Sequence, residues 1–172
     1  MQINLISAPI FKRKIHNHLR TKRRVLSAIE SMEKHNFLDD ENKITNTDWF
    51  LPREYERNYW KFFEKDALNH IRAIENQYGY KISKIENFWF QQYMKGDFHS
   101  RHTHGGSSFS NIYYAELPNQ KAATAFWFCG KEYKIEVEEG DMLSFPGNLI
   151  HESKPLDNDK RKTVIVFNTI VE

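Results

Sequence analysis

The stretch FHSRHTHGGSSFSNIYYAEL, residues 98–117, holds three of the chain's eight histidines within six positions, His99, His102 and His104. A run of small residues follows, and then an apolar and aromatic run that reads as a strand. His102 and His104 flank Thr103. On extended backbone, residues i and i+2 point to the same side, so both imidazoles can reach one metal ion from a strand end. A metal site needs at least a third ligand. The remaining candidates are His16, His18, His35, His70, His99 and His151. His151 stands apart from them, because it follows GDMLSFPGNLI (140–150), a strand and then a Pro-Gly turn, and so can sit at the mouth of a β-barrel. Imidazole suits iron, zinc, copper or nickel.

Outward from this stretch, the chain from residue 82 alternates short runs rich in Ile, Val, Phe, Tyr and Trp with polar residues. Strands are expected at 83–93, 110–117, 122–128, 133–138, 141–146 and 162–171. Turn signals separate them, among them KGD at 95–97, GG at 105–106, PNQ at 118–120, EEGD at 138–141 and LDND at 156–159. Short strands at this spacing predict a sandwich or barrel with helices packed outside it. Before residue 82 the period is helical. Ile15, Leu19, Leu26, Ile29 and Met32 mark one face of residues 13–36, and the Lys/Arg cluster opposite reads as a solvated face. Residues 38–51 predict a loop. A second helix is expected to begin near Pro52, with Tyr59, Phe63, Ala67, Ile71, Ile74 and Tyr78 on its apolar face and Gly79 as its stop. His70 lies near that stripe and reads as structural. The expected architecture is mainly β with N-terminal helices (α+β). It forms one domain over 1–172, with a helical part, 1–80, packed on a β core, 81–172.

Bulk composition narrows the function. The chain has 172 residues, 40% of them hydrophobic and 15% aromatic, and a net charge of +2. That charge makes no case for nucleic-acid binding on its own. The single Cys129 excludes an intramolecular disulfide and a cysteine-based zinc site, and it points to a reducing compartment. No apolar run is long enough for a membrane span, and MQINLISAPIFKRK lacks the order of a signal peptide. The expected location is cytoplasmic, or the host cytoplasm if the chain is viral. A homodimer is open.

Three segments, HTHGGSSFSNIYY, EEGDMLSFPGNLIH and KRKTVIVFN, resemble iron(II)- and 2-oxoglutarate-dependent oxygenases of the type common in marine bacteria and tailed phages. The family pattern runs H-x-H-P-x-S-x-L-S-G-V-Y-Y, then G-D-x-x-x-F-P-x-x-x-x-H, then a basic residue leading into S-F-N. The resemblance covers roughly residues 83–170, and TDW at 47–49 before a helix is similar to the phage members. Gly105 stands in place of Pro, Asn111 in place of Gly, and Val166 in place of a small polar residue.

The resemblance implies a double-stranded β-helix (jelly-roll) core with iron at its open end, 2-oxoglutarate as cosubstrate and O2 as oxidant. It implies His102, His104 and His151 as the metal ligands, with His104 where a carboxylate is usual. For the distal carboxylate of 2-oxoglutarate it implies Arg161, ten positions after His151, with Thr163 beside it on the same strand face and Lys162 as the alternative if the register differs by one. Tyr93 and Tyr114 are implied as further cosubstrate contacts. His99 and Arg101 flank the H-x-H pair and read either as substrate contacts or as loop residues. The implied reaction is hydroxylation with release of succinate and CO2. The substrate is open between a protein, a nucleic acid and a small molecule. Two alternatives stand beside this reading: a three-histidine dioxygenase that does not use 2-oxoglutarate, and a non-enzymatic metal-binding β-sandwich such as a structural phage protein.

Overall fold

The structure is a computed structural model and describes residues 8–172, so the first half of the N-terminal stretch weighed against a signal peptide lies outside the described residues. It is mostly β, with two antiparallel six-stranded sheets and two helices. The first sheet has the order β1 (Phe11–Lys14), β10 (Asp141–Pro146), β7 (Phe109–Glu116), β12 (Lys162–Val171), β5 (Ile82–Tyr93) and β4 (Asn46–Thr47). The second has the order β2 (Phe37–Leu38), β3 (Asn42–Ile44), β6 (Phe98–His102), β11 (Ile150–Ser153), β8 (Ala125–Phe128) and β9 (Lys131–Lys134).

Period-two alternation splits the first sheet into two apolar faces. Trp89, Ile112, Tyr114, Leu143, Phe145, Val164 and Val166 turn inward and pack against Ile44 and Phe126 of the second sheet. Phe90, Tyr113, Met142, Ile165 and Phe167 turn outward onto α1 (His18–Glu30) and α2 (Trp60–Tyr78). There Phe63 stacks on Tyr113 with ring centroids 4.8 Å apart, and Trp60 stacks on Phe88 at 4.0 Å. The helices therefore close one face of this sheet, and the space between the two sheets is left for the site. His70 is buried on the helix side, hydrogen-bonded to Ser144 Oγ at 2.7 Å.

Three N-terminal expectations change. The first helix is shorter than 13–36, because Phe11–Lys14 instead pairs along β10 as an edge strand. The segment expected as loop, 38–51, contributes β3 and β4, and Leu38 completes β2, so the part before residue 80 supplies edge strands to both sheets as well as helices. The second helix starts at Trp60 rather than near Pro52. The Arg57 guanidinium donates to the carbonyls of Asp48, Leu51, Pro52 and Tyr55, which holds 48–57 as an irregular loop. Gly79, in the left-handed region at φ 73°, ends that helix as expected. Among the described residues, no helix is long and apolar enough to cross a membrane.

Candidate metal centre

Strands β6 and β11 are neighbours, and His102 stands opposite His151 across them. His104 lies two residues beyond β6, on a loop clamped by the Pro146-Gly147 turn. The His104 N–H donates to the Gly147 carbonyl at 2.7 Å, and the Gly147 N–H donates to the Ser108 carbonyl at 3.0 Å. A Cβ on Gly147 would overlap the Ser107 carbonyl oxygen, so this close approach requires glycine. The structure thus brings His102, His104 and His151 together, with candidate ligand atoms all within 4.8 Å of one another.

Each of the three rings has its Nδ1 engaged. His102 Nδ1 donates to the Ser100 carbonyl at 2.7 Å, His151 Nδ1 to the Leu149 carbonyl at 2.9 Å, and His104 Nδ1 to Asn168 Oδ1 at 2.8 Å. A carbonyl oxygen only accepts, so the hydrogen sits on Nδ1 and the Nε2 lone pair is left free, the tautomer that outer partners impose on metal-binding imidazoles. Burial disfavours the imidazolium in all three, pulling His104 down to about 4 and the other two below their ordinary value. Three neutral imidazoles at neutral pH form a donor set for a divalent transition metal. Trp89, stacked on His104 at 5.5 Å, and Phe145, edge-on to His151 at 4.7 Å, supply apolar walls.

Farther in, the cavity ends at Lys162. This overturns the expected placement of Arg161. Arg161 lies on the helix side of the first sheet, where its Nε donates to Glu116 Oε2 at 2.7 Å and it also meets Glu30. Thr163 shares that face and donates to the same Glu116 carboxylate, so it does not line the cavity either. The face of β12 turned to the histidines carries Lys162, Val164 and Val166. Lys162 is 2% exposed, its Nζ donates to Ser153 Oγ at 2.7 Å, and no carboxylate pairs with it among the described residues. Burial pulls its amine down to about 7.

Tyr93 lines the same cavity, its ring 4.9 Å from the Lys162 ammonium, and burial raises its phenol above the ordinary value. Tyr114 is on the inward face, but its hydroxyl is taken by Thr124 Oγ1 at 2.9 Å, and Thr124 rather than Tyr114 reaches the cavity. Asn111 turns toward the helices, donating to the Phe167 carbonyl, so its replacement of glycine leaves the metal side unchanged. Arg101 is exposed with its guanidinium over the Trp127 ring at 3.4 Å, whereas His99 lines the cavity.

Outside the histidines the cavity opens into a cleft of ≈ 480 Å³, bounded by Phe37, Trp49 and Arg53 on one side and by His99, His104 and Asn168 on the other. The loop carrying Trp49 and Arg53 is pinned by Asp48. That buried carboxylate accepts from the Phe90 N–H at 2.8 Å and the Tyr59 hydroxyl at 2.8 Å, and it pairs with Arg57 at 2.9 Å. Sequence reasoning singled out neither Asp48, Gln91, Ser153 nor Asn168 for a role. The TDW triplet was the one available signal for Asp48. The others acquire meaning only when the strands are paired.

No family model and no curated protein matches the chain. Solved structures do. A prolyl-4-hydroxylase from Pseudomonas putida aligns over 94% of this chain and 92% of its own, with 14% identity and a TM-score of 0.68. A Trichoplax adhaerens prolyl hydroxylase, in complex with a hypoxia inducible factor peptide fragment, aligns over 94% and 83% with 16% identity and a TM-score of 0.69. The non-heme alpha-ketoglutarate-dependent epimerase SnoN from nogalamycin biosynthesis aligns over 94% and 77% with 7% identity and a TM-score of 0.73. At these identities the likeness is one of fold.

Proposed function

We propose that this chain is a non-haem iron(II)- and 2-oxoglutarate-dependent oxygenase on a double-stranded β-helix (jelly-roll) core. The observation that carries the reading is the pairing of two features in one cavity, a three-imidazole donor set and, deeper in, a buried lysine with no acidic partner. Burying an ammonium unpaired is costly, and the cost is offset when an anion joins it. A dicarboxylic keto acid that meets the metal at one end and Lys162 at the other fits both features. The alpha-ketoglutarate-dependent epimerase among the structural neighbours supports the choice.

His102, His104 and His151 would hold iron(II) through Nε2, and their three neutral donors leave positions for cosubstrate and O2. When bound, iron and 2-oxoglutarate supply oxidative decarboxylation by O2, giving succinate and CO2 and coupling to hydroxylation of a C–H bond. The protein supplies the rest. Lys162 binds the distal carboxylate, with Ser153 orienting the amine. Tyr93 and Val164 shape the channel between lysine and metal. Trp89 and Phe145 keep water from the imidazoles. The substrate enters from the outer cleft. The absence of a carboxylate from the donor set favours one second reading, a three-histidine dioxygenase without a keto acid.

Equilibrium dialysis of 2-oxoglutarate against iron(II)-loaded protein under argon separates the two readings. The oxygenase reading expects binding that weakens both without metal and in Lys162→Met. Binding indifferent to Lys162, or no binding, would promote the second reading.

A further inference from the structure

The oxygenase reading leaves one cavity histidine unused. His99 stacks flat on His102, centroids 3.8 Å apart and planes at 17°, which puts it beside the donor set and not in it. Its ring faces both the inner cavity and the outer cleft. Its Nδ1 meets Gln91 Nε2 at 3.3 Å. The orientation of that amide is set from behind. The Tyr93 hydroxyl donates to Gln91 Oε1 at 2.9 Å.

An amide oxygen only accepts, so Tyr93 gives its hydrogen to Gln91 Oε1. The NH2 of Gln91 is then turned to His99. An imidazole that accepts at Nδ1 carries its hydrogen on Nε2. His99 is thereby held in the tautomer opposite to that of the three metal-side histidines. No acceptor on the described residues takes its Nε2–H.

The cleft beyond it has other unmatched groups. Asn42 Oδ1, Asn87 Oδ1 and Trp89 Nε1 are buried without partners among the described residues, and all three residues line the cleft. Trp89 is 4% exposed and Asn42 8%. The donors and acceptors are thus mixed, and among the lining residues Arg53 is the one Lys or Arg and Glu86 the one acid. A polyanion would find too little positive charge here, and an apolar chain would leave the buried polar atoms unmatched. An amide, with a carbonyl and an N–H side by side, matches both kinds.

We propose that His99 is a substrate-positioning donor and that the outer cleft receives an amide, whose carbonyl is taken by His99 Nε2–H beside the metal centre. The inference uses the oxygenase reading only for what happens to the bound group afterwards.

The test is nitrogen NMR of 15N-histidine protein loaded with zinc(II) and 2-oxoglutarate, titrated with N-methylacetamide, acetamide and acetate. The expected spectrum shows His99 protonated at Nε2 and the three metal-side rings at Nδ1. Either amide shifts the His99 Nε2–H saturably and leaves the exposed His16 unmoved, and a preference for N-methylacetamide points to a main-chain amide. Gln91→Leu should erase the His99 tautomer preference and weaken amide binding about twofold, because about half of the rings would then carry the hydrogen on Nε2, with zinc affinity unchanged. Three results overturn the inference: His99 protonated at Nδ1, no saturable shift with either amide, or a response to acetate alone. Failure of 2-oxoglutarate to bind in the same samples would count against the oxygenase reading and leave the His99 tautomer to be read independently.

Discussion

Replacing Lys162 with Met should expose a proton linked to anion binding. Burial lowers this amine from 10.5 to about 7, roughly 5 kcal/mol of disfavour for the charged form in the unliganded protein. The folded pKa lies below the unfolded one. Between about pH 7 and 10.5 the unfolded chain holds a proton that the folded chain has lost, so the stability of the unliganded protein rises with pH across that window. Lys162→Met should flatten that rise. A carboxylate docking on the amine reverses the shift. At pH 8 most Lys162 is neutral, so binding should draw in roughly 0.9 proton, and at pH 6 only about 0.1. Calorimetry of 2-oxoglutarate binding in two buffers of different ionisation enthalpy reads this number directly. The Met variant leaves the carboxylate without its partner, a loss of about 2–5 kcal/mol, or roughly thirty-fold to several thousand-fold in affinity. Arg161→Ala is the control. Its guanidinium serves Glu116 and Glu30, so binding should be unchanged and stability should fall by no more than about 1 kcal/mol. No proton uptake at pH 8, or wild-type affinity in Lys162→Met, would refute the reasoning.

Asn168→Leu removes the acceptor that fixes the His104 tautomer and should lower metal affinity about 10–100-fold in a chelator competition. Because burial keeps the three imidazoles neutral, metal should stay bound as pH falls through the ordinary histidine value of about 6.5 and be released only well below it, which a zinc-release titration will show. Asp48→Ala strands buried Arg57 and frees the Phe90 N–H, so urea unfolding should show a loss of about 3–5 kcal/mol. Asp48→Asn, which keeps an acceptor, should lose less.

What the sequence displayed and what it hid follow from how the strands are buried. The convergence of His102, His104 and His151 was legible because metal ligation needs particular nitrogens, and an i, i+2 pair before a turn can supply two of them. The strands at 141–146 and 162–171 were legible from their apolar runs. The choice between Arg161 and Lys162 was not. Period two says that they face opposite ways, but β12 is buried on both sides, with Ile165 and Phe167 under the helices and Val164 and Val166 over the second sheet. A strand apolar on both faces carries no alternation to mark its inside. β2, β3 and β4 are two or three residues long, too short for any period to show. The contacts of Lys162 with Ser153 and of Tyr93 through Gln91 with His99 cross from one sheet to the other, and only the packing of the two sheets creates them.

The measurement that bears most directly on the central claim is succinate formation from 2-oxoglutarate under air, with iron(II) and ascorbate, by wild type, His151→Ala and Lys162→Met. No further substrate is supplied, so the assay reads decarboxylation of the keto acid alone. The account predicts iron-dependent succinate from the wild type that collapses in both variants. Succinate at the wild-type rate from Lys162→Met, or none from an iron-loaded wild type that binds 2-oxoglutarate even when amides occupy the cleft, would contradict it.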